Sequence, residues 1–162
     1  MIWQKSNRFD SRAREIADRH YNRQKPGTPQ FVPPGRCCVL YAETDTGRAF
    51  WVTSFPFAEY VRHAWAGAWV CSAFRNEGAG IASEMIREAV AATRAHFGDP
   101  PPLGMITFID TKKVKPTMVH GVKRWGLTYE KAGFHYVGKT KGGLLAFQLL
   151  PADMPEAKEA RE

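Results

Sequence analysis

The pattern of apolar and polar positions changes rhythm several times along the chain. Over residues 10–24, Ala13, Ile16, Ala17, His20 and Tyr21 recur at helical spacing, and Arg12, Arg14, Arg19 and Arg23 fill the other positions. Asp10 or Ser11 is placed to cap this helix. Pro26, Pro29, Pro33 and Pro34 then mark a stretch that cannot pair as a central strand and reads as a loop. Residues 36–43 and 48–55 are rich in β-branched and aromatic side chains around Thr44-Asp45-Thr46-Gly47, which predicts a hairpin. Residues 56–67, with Phe57, Tyr60, His63 and Trp65 following Phe55, read as a loop with a helical turn lining one side of a cleft.

A third strand is expected over 68–74. It runs into Arg75-Asn76-Glu77-Gly78-Ala79-Gly80, and a helix over 81–97 follows directly. That helix would turn Ile81, Met85, Ala89 and Ala92 inward, with Ile86 and Val90 beside them, and Glu84, Arg87, Glu88 and Arg94 outward. Gly98-Asp99-Pro100-Pro101-Pro102 stops it. Residues 103–109 are almost continuously apolar, as in a strand buried on both faces, and end at Asp110. After a basic loop, a short helix is expected over 123–132, ended by Gly133, and then strands over 134–138 and 144–149. The tail from Pro151 is charged and expected to fray. This order predicts one domain over 1–150 and a charged tail over 151–162. The fold class is an α/β sandwich with a mixed, mostly antiparallel sheet, a central βαβ crossover and helices on both faces.

Composition narrows the class. A chain of 162 residues with 44% hydrophobic content suits one globular domain. It has no apolar run long enough to span a membrane, and its first residues lack a signal-peptide core. Cys37, Cys38 and Cys71 fit neither a disulfide framework nor a metal knuckle, so reduced thiols in a cytoplasmic protein are expected. The five histidines show no ligand spacing, and no metal is assigned. The formal charge of +7 is concentrated. Residues 101–150 hold eight Lys or Arg against Asp110 and Glu130 alone. Such a surface suits a polyanionic partner, or a merely basic soluble protein.

Candidate chemistry gathers at a few positions. Arg75-x-x-Gly78-x-Gly80 opens a helix, where exposed N–H groups and the helix dipole favour a phosphate; it is otherwise an ordinary strand-turn-helix corner. Asp110, at the C-terminal end of a buried strand, either handles a proton and orients an amine or caps the next turn. Lys112, Lys113 and Lys115 with Lys123, Arg124 and Trp125 could meet nucleic-acid phosphates and bases, or form a solvated turn. His20 and Tyr21 alone read as packing.

These residues resemble a family. The strand, the Arg75-x-x-Gly78-x-Gly80 loop, the helix, the next strand and Tyr129-Glu130-Lys131-Ala132-Gly133-Phe134 look like the GNAT acyltransferase superfamily over residues 36–150. The resemblance implies acetyl-CoA, or a related acyl-CoA, as donor. Phe74, Arg75, Asn76, Gly78, Ala79, Gly80 and Ser83 would then bind the cofactor. The pantetheine arm would lie between the strands ending at Phe74 and Asp110, and Tyr129 would protonate the leaving thiolate. A narrower resemblance is to the Mom proteins of bacteriophages, which modify adenine in DNA. It rests on Arg19-His20-Tyr21-Asn22, Arg75, Ser83, Asp110 and Tyr129, and adds His20 and Tyr21 as catalytic candidates. The intact Gly-x-Gly loop is more like that of an ordinary acyl-CoA enzyme. The expected function is a Mom-like transferase acting on the exocyclic amine of adenine in DNA, met as a flipped or single-stranded base. Two alternatives remain: a conventional acetyl-CoA-dependent N-acetyltransferase, and a nucleic-acid-binding protein that keeps only the fold.

Overall fold

The computed structural model describes residues 1–20, 35–56, 61 and 63–162. Nine strands and three α-helices are present among them: β1 (Gln4–Lys5), α1 (Ser11–Ala17), β2 (Arg36–Thr44), β3 (Gly47–Phe55), β4 (Trp69–Glu77), α2 (Ala82–Phe97), β5 (Met105–Ile109), β6 (Thr117–Val119), β7 (Val122–Arg124), α3 (Leu127–Lys131), β8 (His135–Lys139) and β9 (Leu145–Leu149). Seven strands form one sheet in the order β1-β2-β3-β4-β5-β9-β8. Every neighbouring pair is antiparallel except β4 and β5, which α2 joins as a crossover.

The central strands are buried because both faces are covered. From β2 and β3, Val39, Tyr41, Phe50 and Val52 pack against Ala13, Ile16 and Ala17 of α1. The alternate residues Cys38, Leu40, Ala42, Ala49 and Trp51 pack against Met85, Ile86, Ala89 and Val90 of α2. Period two in the strands thus meets two helical faces in an α/β arrangement with a mostly antiparallel mixed sheet. A buried polar relay fixes α2 on β3: Trp51 Nε1 donates to Thr53 Oγ1 at 2.6 Å, Thr53 and Thr93 hydroxyls lie 2.9 Å apart, and Thr93 donates to the Ala89 carbonyl.

Several boundaries differ from the expectation. Helix α1 ends at Ala17, with Asp10 as its cap accepting from the Arg12 N–H, and the expected residues 21–24 lie outside the described residues. Strand β4 continues three residues past Phe74, because Arg75 and Asn76 pair with Phe50 and Ala49 of β3. Ile81 stands before α2 and is 63% exposed, not inward. The helix expected over 123–132 begins only at Leu127; Lys123 and Arg124 instead belong to β7, paired with β6 outside the main sheet. The tail does not fray. Arg94 donates to the Pro155 carbonyl at 2.8 Å, the Lys158 N–H to Ala91, and the Arg161 N–H to Trp3, which buries Met154 and Ala160.

Candidate functional site

The parallel pair opens into a fork. β4 and β5 pair only through Trp69↔Met105, Val70↔Ile106 and Cys71↔Thr107. Beyond that point β4 stays with β3 as far as Asn76, and β5 stays with β9 as far as Ile109. A register shift opposite Val52 and Thr53 leaves Ser72 as an extra residue in β4, a bulge that turns the strand at the place where it parts from β5. Both strands run into the fork with their C-terminal ends, the side on which open α/β sheets bind ligands. At its apex Thr107 Oγ1 donates to the Cys71 carbonyl at 3.3 Å.

Tyr129, on α3, stands over this apex. Its ring meets Phe134 edge-on with centroids 5.4 Å apart, and its hydroxyl lies 3.8 Å from Cys71 Sγ. Burial pushes the Cys71 thiol up to about 12, so it stays protonated and un-nucleophilic at neutral pH. Asp110 follows β5 on the other arm. Its Oδ1 accepts the Lys112 N–H at 3.0 Å, and its carbonyl accepts those of Lys113 and Val114. It therefore caps the turn that starts the basic segment.

At the tip of β4 the chain turns through Gly78, whose φ of 84° suits glycine, and enters α2 with Ile81 as a cap lacking a side-chain hydrogen bond. Three carbonyls of this turn are held by side chains. Thr46 Oγ1 donates to Gly78 O at 2.6 Å, Thr44 Oγ1 to Ala79 O at 3.0 Å, and Asn76 Nδ2 to Gly80 O at 2.8 Å. Asn76 Oδ1 takes the Ala79 N–H in return. With those oxygens engaged and no side-chain cap, the first N–H groups of α2, including that of Ser83, have no helical partner and suit an anion. Phe74 packs between Trp3 and Trp51, with centroids 6.2 and 5.6 Å away.

Arg75 is grouped differently from the expectation. It pairs in register with Phe50 on the α1 face, and its Nε donates to Glu77 Oε2 at 2.8 Å. Arg19, after α1, grips the same carboxylate with two nitrogens. The hydrogen bonds from Arg19 and then Arg75 hold Glu77 down to about 2. Arg19 escaped sequence reasoning because it sits among the outward positions of its helix. His20 meets Phe50 edge-on at 6.2 Å on the same face; Tyr21 lies outside the described residues.

The basic segment is gathered at the end of β5. Lys112, Lys113, Lys115, Lys123 and Arg124 are exposed, and Arg124 is paired with Glu130 at 3.0 Å. Trp125 is a brace: its indole N–H donates to the Val114 carbonyl at 2.9 Å while its ring packs on the main core. Of the aromatic residues expected to line a cleft, Phe55 packs on Phe97, and Phe57 and Tyr60 lie outside the described residues. His63 and Trp65 surround Phe108 of β5, at 5.0 and 6.0 Å, and burial lowers the His63 pKa. A separate cavity of about 620 Å³ lies between β2, α2 and the tail, lined by Arg8, Cys37, Leu40, Ala92 and His96 among others.

Among the described residues no group of three His, Cys, Asp or Glu could hold a metal ion, and no helix is long and apolar enough to cross a membrane. Comparison of the chain with protein families, with curated proteins and with solved structures found no match.

Proposed function

We propose that the chain is a GNAT-like transferase that modifies the exocyclic amine of adenine in DNA, in the manner of the Mom proteins it resembles. The observation that carries this reading is the fork between β4 and β5 beyond Cys71 and Thr107, with Tyr129 at its apex. A GNAT-type donor requires two splayed parallel strands, and an extended pantetheine arm can use the backbone edge that β4 gives up. The turn of Gly78, Ala79 and Gly80, its carbonyls held by side chains, and the uncapped start of α2 fit a pyrophosphate. An acyl-CoA bound there would supply an activated thioester carbonyl.

The chain's own groups divide the remaining work. The Tyr129 hydroxyl is the group that would protonate the donor's leaving thiolate, and the neutral Cys71 thiol beside it would not compete as a nucleophile. Asp110, with one oxygen fixed by the Lys112 N–H, orients the amine and accepts its proton. The rings of Phe108, Trp65 and His63 offer faces for a base, and the lysines from Lys112 to Lys123 offer charge for phosphates. The Gly-x-Gly turn with its tied carbonyls equally favours a conventional N-acetyltransferase, which shares the donor site and differs in the acceptor.

Mass spectrometry of nucleosides from DNA of cells expressing the protein tests the proposal. A mass-shifted deoxyadenosine that disappears with Tyr129→Phe is expected. Unmodified adenine alongside folded, CoA-binding protein would transfer the case to the small-amine or protein acetyltransferase.

A further inference from the structure

The β6–β7 hairpin has no core of its own to serve. It stands outside the seven-stranded sheet, all three residues of β7 are exposed, and Met118 and Val122 are 59% and 60% exposed. Each face of the ribbon thus carries one exposed apolar side chain. The ribbon is nevertheless well defined. Its turn residues His120 and Gly121 have φ of 50° and 77°, the positive pair that matches the twist of two antiparallel strands. Trp125 ties its base to Val114, and the Asp110 turn ties Val114 to the end of β5.

Charge identifies the partner. From residue 111 to residue 129 there is no Asp or Glu, while Lys112, Lys113, Lys115, Lys123 and Arg124 are all present. Register sets Met118 opposite Lys123 on one face of the ribbon, and Val119 opposite Val122 on the other. Apolar and cationic groups therefore alternate on an element slim enough to enter a DNA major groove, which admits a two-stranded ribbon.

We infer that β6–β7 is the element by which the protein holds duplex DNA, with Lys123, Arg124 and the lysines of the preceding loop on the phosphates and the Met118–Lys123 face turned to the groove. This rests on the reading of the chain as a DNA-modifying enzyme and names the part that performs the recognition. Because the hairpin leads directly from Asp110, DNA gripped there lies next to the fork.

The test is fluorescence anisotropy on a duplex of about 20 base pairs, titrated across about 50–200 mM salt. Lys113→Gln with Lys123→Gln should lower the salt slope by about two, close to one per phosphate contact. Met118→Ser should weaken binding about fivefold and leave the slope unchanged, since apolar contacts release no counterions. Thermal melts establish that each variant is folded; the hairpin lies off the main sheet, so wild-type melting is expected. Folded variants with wild-type affinity and slope would overturn the inference, and if adenine were still modified in cells the enzymatic reading would stand without it. A wild-type protein with no salt-dependent affinity for DNA would overturn both.

Discussion

Replacing Glu77 by Gln tests the electrostatics at the tip of β4 in two independent ways. The carboxylate is shared by Arg19 and Arg75, and their hydrogen bonds hold it at about 2, against an ordinary value of 4.5. At about 1.4 kcal/mol per tenfold, that difference would be worth about 3 kcal/mol if the site were dry. It is not dry: the Arg19 and Arg75 side chains are 45% and 39% exposed, so water screens most of the interaction and about 1 kcal/mol is a realistic figure. The sign follows from a lowered folded-state pKa. The stabilisation is complete above about pH 4.5 and disappears as pH falls towards about 2. Glu77→Gln should therefore melt roughly 2–4 °C below wild type at neutral pH and approach it in strong acid. The same change removes a negative charge next to Gly78 and releases two guanidinium groups. If the loop binds the donor's phosphates, isothermal titration with CoA should show about fivefold tighter binding, equivalent to about 1 kcal/mol. Unchanged melting at pH 7 would refute a stabilising role for the Arg19–Glu77–Arg75 contacts. Lower melting with no gain in CoA affinity would refute the phosphate role of the loop.

Three other changes probe the account elsewhere. Tyr129→Phe removes the hydroxyl at the fork and should reduce turnover by roughly a hundredfold or more with CoA affinity unchanged, as steady-state kinetics and titration would reveal. Truncation after Asp153 removes the buried Met154 and Ala160 and uncovers Trp3; a loss of about 3 kcal/mol, or roughly 6–12 °C in Tm, should appear by calorimetry. In Gly126→Ala the new Cβ would lie 2.2 Å from Phe147 Cζ at a φ of 77°, so a destabilisation of at least about 2 kcal/mol by urea unfolding is expected.

The parts of the fold that were readable in the sequence are those where burial imposes a period. Residues 38–42 and 49–53 alternate between two helical faces, and Met105 to Ile109 is apolar except for Thr107 because both of its faces are covered. The parts that escaped are decided by partners distant in the chain. Arg75, Asn76 and Glu77 look like loop residues, yet β3 hydrogen-bonds the first two into a strand. β6 and β7 are three residues each, with Met118 and Val122 facing water, so no hydrophobic period announces them. The tail is rich in Ala and Glu, and partners distant in the chain, among them Arg94, Ala91 and Trp3, determine where it docks. Within the candidate site, the places of Asp110 after a buried strand and of Tyr129 on a short helix were legible from the local pattern around them. The fork itself was not, because it depends on where the β4–β5 ladder stops, and the partnership of Arg19 with Arg75 joins residues from opposite ends of the first half of the chain.

A crystal structure of the protein with CoA puts the central claim to the most direct test. The pantetheine arm is expected between β4 and β5 beyond Cys71 and Thr107, its sulfur near the Tyr129 hydroxyl, and its pyrophosphate against the N–H groups from Gly80 to Ser83. CoA bound instead in the cavity beside Arg8 and Cys37, or a fork left empty at saturating CoA, would contradict it.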